Sequence, residues 1–373
     1  MTFSPQDQEF MQLALDLAAR GRFTTSPNPS VGCVLVKQGQ IIGQGFHFKA
    51  GEPHAEVMAL RQAGVQAKDA TAYVTLEPCS HYGRTPPCAK GLIDAGVSKV
   101  IAAMLDPNPQ VAGRGLQMLQ DAGIETAVGL LQEKAEVLNK GFLHRMRTGL
   151  PFVQLKLAMS LDGRTAMANG DSKWITGELA RSDVQQERAK ASAILSTSAT
   201  VLADDPSLNV RWQQLPADIQ QQYAIENLRQ PIRIILDCQH RVLPTHQLFK
   251  TDSPVWLVSD KVRDLSDYPD FCQHIQLKTI ENQTALFTLM QELAKRQVNN
   301  LWVESGATLA GTLIEQKLVN ELIVYIAPKL LGDQAKGLCK LPNLHQLSQA
   351  PQWQLQSVEQ LGDDLKAIYR RKA

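Results

Sequence analysis

Thr71-Ala72-Tyr73-Val74-Thr75-Leu76-Glu77-Pro78-Cys79 is an apolar run that ends on a thiol, and Pro86-Pro87-Cys88 opens a helix on a second thiol nine residues later. The first run is rich in β-branched and aromatic residues and reads as a strand over 71–76; the double proline predicts a helix over 87–95. The same alternation continues on both sides. Val31 to Val36 and Gln40 to Phe46, joined by Lys37-Gln38-Gly39, form a hairpin. A helix is predicted from His54 to Ala63, stopping before Gly64. Strands at 99–104 and 124–128 enclose a helix at 113–121, and a charged amphipathic stretch covers 130–147. This rhythm predicts a three-layer α/β sandwich. Thr148-Gly149-Leu150-Pro151 is a cluster of chain breakers, so a domain boundary is expected there, giving domains of residues 1–149 and 150–373.

The second part restarts with a strand at 152–159. Further strands are expected near 193–197, 232–237, 255–258, 301–303, 321–326 and in the last dozen residues, with helices near 179–189, 284–295 and 309–316. This is a second α/β domain. The irregular stretch from Asp205 to Gln230 is long for a plain connection, which marks it as functional or mobile.

Composition narrows the class of partner. The 373 residues carry 38 Lys plus Arg against 37 Asp plus Glu, a net charge of +1. The balance holds locally, with 14 basic and 13 acidic side chains in residues 1–149 and 24 of each in the remainder. Proteins that wrap nucleic acid or lie on anionic lipid concentrate basic charge, so neither partner is expected. The N-terminal stretch has helical spacing with one wet face, unlike a signal peptide, and no apolar run is long enough for a transmembrane helix. Six scattered cysteines suit a reducing cytoplasm.

The strongest chemical signal is His54-Ala55-Glu56 together with Cys79 and Cys88. One imidazole and two thiolates are three zinc ligands; a catalytic zinc site leaves its fourth position to water, whose pKa the metal lowers. Glu56 then suits general acid/base work. Residues two apart in a regular helix point about 200° apart, so His54 and Glu56 can share a site only at the helix start. A closed structural site, completed by His81 or Cys33, is the alternative. His-x-Glu followed by Pro-Cys is the signature of zinc nucleobase deaminases, with thiols here nine apart rather than three.

The second domain lacks a Gly-x-Gly-x-x-Gly fingerprint; the pairs Gly43/Gly45 and Gly113/Gly115 lie in the first domain and lack the third glycine. Gly306 and Gly311 have Walker spacing, but Thr312-Leu313 follows. What is present is Leu301-Trp302-Val303-Glu304-Ser305-Gly306-Ala307-Thr308, a strand, a small-residue turn and a helix start that could receive a phosphate. Lys156, on the strand opening this domain, could place positive charge near a reacting carbonyl or imine.

The runs Ser26-Pro27-Asn28-Pro29-Ser30-Val31-Gly32, Gly51-Glu52-Pro53-His54-Ala55-Glu56, Thr75 through Cys88, Asp106-Pro107-Asn108-Pro109 and Val111-Ala112-Gly113-Arg114-Gly115 closely resemble the bifunctional deaminase/reductase of bacterial riboflavin biosynthesis. The resemblance extends through Gln154–Ala166, Ser172-Lys173-Trp174-Ile175-Thr176 and Thr200–Leu208 to almost the whole chain. It implies a cytidine-deaminase-like α/β/α domain followed by a dihydrofolate-reductase-like α/β domain. The implied first reaction is hydrolytic deamination of a pyrimidinone carrying a phosphoribosylamino chain; the second is NADPH reduction of the ribosyl chain to ribityl. By matching position, His54, Cys79 and Cys88 would hold one zinc, Glu56 would shuttle protons, and Asn28 would hold the pyrimidine edge. Ala158, Trp174, Thr200, Asp204, Cys238 (Ser in relatives) and the run Gly306, Ala307, Thr308, Leu309, Ala310, Gly311 and Thr312 would contact NADP. Ser172, Arg188, Leu208, Arg211 and Glu304 would bind substrate, with arginines suited to its phosphate. A homo-oligomer is expected. Two other readings compete: a monofunctional zinc nucleobase deaminase with an accessory C-terminal domain, disfavoured by the neutral first domain, and a zinc-stabilised binding protein, disfavoured by Glu56.

Overall fold

The computed structural model describes residues 3–80, 86–108, 112–171, 175–277 and 284–372. The chain divides into two compact units, Met1–Gly149 and Leu150–Ala373.

The first unit is a five-stranded sheet in the order β2-β1-β3-β4-β5. Its strands are β1 (Gly32–Lys37), β2 (Gln40–Phe46), β3 (Thr71–Val74), β4 (Lys99–Ala102) and β5 (Glu125–Val128). β1 pairs antiparallel with β2 and β3, and β3, β4 and β5 run parallel. Alternate side chains of β1 serve two separate cores, as the period of a strand requires. Val34 and Val36 pack with α1 (Pro5–Ala19), and on the same face lie Ala135 of α5 (Gln132–Leu138) and Phe142 of α6 (Lys140–Thr148). Cys33 and Leu35 pack on the other face with α2 (Ala55–Ala63), α3 (Cys88–Asp94) and α4 (Arg114–Asp121). The amphipathic stretch at 130–147 is thus two helices rather than one. Asn139 separates them because its buried amide is committed elsewhere, accepting from Ser30 N (2.8 Å) and donating to Ser30 O (2.9 Å).

The placement of α2 comes from small side chains. Ala55, Ala59 and Ala63 recur every fourth residue on its buried face, and they lie on Gly43 and Gly45 of β2. A Cβ at Gly45 would stand 2.5 Å from Met58 Cβ, and one at Gly43 would stand 2.3 Å from Ala59 O. Only glycine allows that approach.

The second unit is built on a nine-stranded sheet in the order β11-β10-β9-β8-β12-β6-β13-β16-β15. The strands are β6 (Phe152–Ser160), β8 (Ala193–Thr197), β9 (Ile232–Leu236), β10 (Val255–Ser259), β11 (Cys272–Gln276), β12 (Asn300–Glu304), β13 (Glu321–Ala327), β15 (Trp353–Leu361) and β16 (Asp364–Arg371). From β11 to β13 all pairings are parallel; β16 and β15 add an antiparallel hairpin. Two short strands, β7 (Arg164–Ala166) and β14 (Lys336–Gly337), pair apart from this sheet. One face is covered by α10 (Ala285–Lys295) and α11 (Ala307–Glu315), the other by α7 (Glu178–Lys190) and α8 (Ser198–Asp204). The stretch after α8 is not bare loop but carries the short helix α9 (Ala217–Gln222). Among the described residues no helix is long and apolar enough to cross a membrane.

Candidate active sites

His54 is the N-cap of α2, with extended backbone (φ −70°, ψ 164°), and Glu56 lies in the first turn. The extended N-cap breaks the helical 100° step, so both side chains reach one place. Cys79 follows β3, and Cys88 is the first residue of α3, capped by Pro87. His54 Nδ1 lies 3.7 Å from Cys79 Sγ and 3.3 Å from Cys88 Sγ, and Cys88 N donates to Cys79 Sγ at 3.3 Å. The three ligand atoms fall within 4.8 Å of one another, and no other such group occurs among the described residues. Cys33 is buried in the core on that face of the sheet and is not part of the cluster. His81 lies outside the described residues.

This donor set fits zinc: a borderline imidazole and two thiols converge and, among the described residues, leave one tetrahedral position open. Cys79 is pulled down to about 4, first by a hydrogen bond from Cys88, against the cost of burial, with His54 and the Cys88 amide assisting. Cys88, which gives that hydrogen bond, is pushed up. A dication at the centre favours thiolate at both. Glu56 is 3 % exposed. Burial raises its pKa, with the Cys79 thiolate adding to the effect.

Asn28 stands beside the same cluster, joined to it by a residue that sequence reasoning missed. His47, at the exit of β2, is buried, and its ring lies 5.3 Å from that of His54. Its Nδ1 faces Pro53 O at 3.2 Å and its Nε2 faces Asn28 Nδ2 at 3.0 Å. A carbonyl only accepts, so Nδ1 carries the proton and Nε2 accepts from Asn28. Burial lowers the His47 pKa, which keeps the ring neutral. The Asn28 amide oxygen is thereby turned away from His47. The signal available in the sequence was position alone, since the hairpin brings residue 47 opposite the loop at 26–30.

In the second unit a cavity of about 1280 Å³ opens at the carboxyl ends of the parallel strands, where such sheets bind ligands. Ala158, Thr200, Asp204, Arg188, Leu208, Arg211 and Glu304 all line it. Of the expected loop, Gly306, Ala307, Thr308, Leu309 and Thr312 line it as well. Ala310 and Gly311 do not. Ala310 is fully buried in the core and its N–H donates to Gly306 O. A Cβ on Gly311 would stand 1.8 Å from Lys340 O, so close packing requires glycine there. Cys238 is exposed and lies outside the cavity lining. Helical phase turns the first two inward, and the third lies beyond the end of β9, so the structure does not bring these three to the cavity lining. Ser172 and Trp174 lie outside the described residues.

Arg188 is already partnered. Its Nε and Nη2 donate to the two carboxylate oxygens of Glu304 at 2.6 and 2.8 Å, and Nη1 donates to Asn209 O at 3.0 Å. Its charge is therefore compensated, whereas Arg211 is exposed to the cavity and its guanidinium makes no hydrogen bond among the described residues. Burial lowers the pKa of Lys156, which lines the same cavity, with the Glu304 carboxylate opposing and the Arg188 charge adding to that shift.

The cavity fits a phosphate-bearing cofactor. Gly306 caps α11 without a side-chain hydrogen bond, no atom lies near its Cβ position, and the Ser305 hydroxyl is buried without a partner. Open helix amides and an orphaned hydroxyl are what a pyrophosphate requires.

Residues 4–104 match the family model for the cytidine and deoxycytidylate deaminase zinc-binding region, and residues 151–367 match that for the RibD C-terminal domain. Fold, site and these matches define a zinc-dependent deaminase joined to a reductase of dihydrofolate-reductase type. The chain is 68 % identical to the riboflavin biosynthesis protein RibD of Haemophilus influenzae over 100 % of this chain and 99 % of that one. It is 57 % identical to RibD of Escherichia coli, covering 96 % and 98 %. Among solved structures it superposes on Acinetobacter baumannii RibD with a TM-score of 0.90 at 45 % identity, covering 99 % of each chain. The diaminohydroxyphosphoribosylaminopyrimidine deaminase/5-amino-6-(5-phosphoribosylamino)uracil reductase of Thermotoga maritima follows at 0.86 and 31 %, covering 98 % of this chain and 99 % of that one. The chain belongs to the RibD family: it is a bifunctional enzyme of riboflavin biosynthesis that uses zinc and NADPH and acts on a pyrimidine. The reading of the C-terminal part as an accessory domain is set aside by the family match across it.

Proposed function

We propose that residues 1–149 convert 2,5-diamino-6-(5-phosphoribosylamino)pyrimidin-4-one to 5-amino-6-(5-phosphoribosylamino)uracil and ammonia, and that residues 150–373 reduce that product to 5-amino-6-(5-phosphoribitylamino)uracil. The observation that carries the first half is the convergence of His54, Cys79 and Cys88 beside a buried carboxylic acid. Zinc held there would supply Lewis acidity and lower the pKa of water. Glu56 would take a proton from the attacking water and return it to the departing amine; its raised pKa suits both directions. Asn28, oriented by neutral His47, presents its amide oxygen to the pyrimidine edge.

In the second unit NADPH supplies a hydride. Ser305 and the amides of Gly306, Ala307 and Thr308 hold its phosphates, while Ala158, Thr200, Asp204, Leu309 and Thr312 shape the rest of its cleft. Arg211 takes the substrate phosphate. Leu208 and the Arg188–Glu304 pair hold the sugar chain, and Lys156 stands where charge develops. The enzyme acts in the cytoplasm, in keeping with six unpaired cysteines. It needs no nucleic acid, in keeping with its even charge. It works as a homo-oligomer.

The test follows ammonia release and NADPH oxidation separately with the phosphorylated diaminopyrimidine. Glu56→Gln should lose ammonia release by at least about 100-fold, the usual scale of a general acid/base group. Zinc should stay near one per chain, and NADPH oxidation should persist on deaminated substrate. Ammonia release at the normal rate would remove Glu56 from the chemistry.

A further inference from the structure

Two blocks of the first unit have no role in the chemistry above: the acid in Thr75-Leu76-Glu77-Pro78-Cys79 and the glycines in Gly113-Arg114-Gly115. The structure joins them. Glu77 is 3 % exposed, yet among the described residues its carboxylate has no cationic partner. Instead its two oxygens accept four backbone N–H groups. Oε2 takes Asp106 N at 3.2 Å and Gly113 N at 2.9 Å; Oε1 takes Gly115 N at 2.9 Å and Leu116 N at 3.4 Å. The donors belong to the segment between β4 and α4 and to the first turn of α4, which has no side-chain cap of its own.

The contact is close as well as polar. A Cβ at Gly115 would stand 1.9 Å from Pro78 O, so the turn rests directly on the peptide that precedes Cys79. Glu77 N also donates to Met104 O at 3.0 Å, and Cys79 O accepts from Ala89 N at 3.2 Å, on the element carrying Cys88. The backbone from 77 to 79 is therefore held on one side by the β4–α4 segment and on the other by α3.

We propose that Glu77 is a positioning residue for the metal centre: its carboxylate locks the β4–α4 segment against Pro78 and thereby fixes the Cys79 thiol for zinc. This rests on the reading of His54, Cys79 and Cys88 as ligands. Charge and shape both matter. A carboxylate offers acceptors on both oxygens, while an amide of the same shape points N–H groups at two backbone donors. Those donors lose their partner in a buried place, and the turn must move. Groups that orient a metal ligand from behind typically change metal affinity or activity by about 10- to 100-fold when removed.

The experiment measures zinc transfer from the full-length enzyme to a chromogenic chelator, with deaminase and reductase turnover followed on the same samples. Wild type and His54→Ala test the metal reading: near one zinc per chain in the first and none in the second. Glu77→Gln tests the inference. It should release zinc at least about tenfold faster and lower deaminase kcat by a similar factor, with KM within about twofold and reductase turnover unchanged. Glu77→Asp, which keeps the charge one methylene short, should lie between the two and decides the question by the same criteria if the Gln variant does not fold. Zinc release at the wild-type rate, a loss confined to KM, or a parallel fall in reductase turnover would each overturn the assignment. A wild type without zinc, or a His54→Ala variant that keeps it, would instead overturn the metal reading.

Discussion

The Arg188–Glu304 pair shows how one residue's role depends on another far along the chain. Burial alone would raise the Glu304 pKa, but Arg188 overcomes it through charge and hydrogen bonds, with help from Lys156 and Trp302, and brings it down to about 2. The side chains are only 11 % and 14 % exposed. Removing one partner of a buried pair leaves the other charge uncompensated. Glu304→Gln should therefore destabilise the second unit by about 3 kcal/mol, seen as a lower denaturation midpoint, while ammonia release persists. An unchanged midpoint would mean that the pair adds nothing to the stability of the unit. The sequence marked both residues as substrate contacts, but it could not show that they bind each other across 116 positions. For the same reason His47 went unnoticed, because its tautomer and purpose come from Pro53 and Asn28, contacts made only after folding.

At the scale of elements, periodicity carried most of the reading. The hairpin of β1 and β2 and the helices α2, α3, α7 and α10 fall within a residue or two of their expected places, because each has a clear apolar period and a stop signal. The expected elements failed where that signal is weak. β11 holds one aliphatic residue, Ile275, and lies at a sheet edge, where alternation need not appear. β7 and β14 are too short to have a period. The last dozen residues, expected as one strand, are the second arm of a hairpin that turns at Gly362 (φ +68°). Its first arm, β15, is an outer strand exposed along its length, with Leu355 50 % and Val358 55 % exposed. A long exposed edge with apolar side chains is a template for a second chain. If a second copy pairs with the chain, this edge would receive it. Val358→Lys should then shift the protein to monomer in sedimentation velocity; an unchanged sedimentation coefficient would place any interface elsewhere.

For the whole molecule, acid stability should be governed by the second unit. Lys366 binds Asp183 at 2.7 Å and Glu187 at 3.1 Å, and Tyr325 donates to Asp183 at 2.6 Å. Burial works to raise the Glu187 pKa, but Lys190 and Lys366 outweigh it and hold it at about 2. A carboxylate depressed in the folded state stabilises fully above its unfolded value of about 4.5, and that contribution disappears as pH falls through the folded value. Stability should stay level from pH 7 to 5 and then lose on the order of 2–3 kcal/mol between about pH 4.5 and 2. Glu187→Gln should make that fall smaller, leaving the share carried by Glu304; a wild-type profile with no fall there would deny the network its stabilising role. The sequence by itself determined the two α/β patterns, the residues proposed as metal ligands and general acid, and the even charge that suits a small phosphorylated substrate. These are local properties, carried by residue type and spacing. Tertiary structure alone decided that Arg188 pairs with Glu304, that Gly311 and Ala310 face the core, that His47 bonds Asn28, and that Glu77 braces the strand end bearing Cys79. Each depends on groups distant in sequence, whose approach is set by packing and by the need to satisfy buried polar atoms.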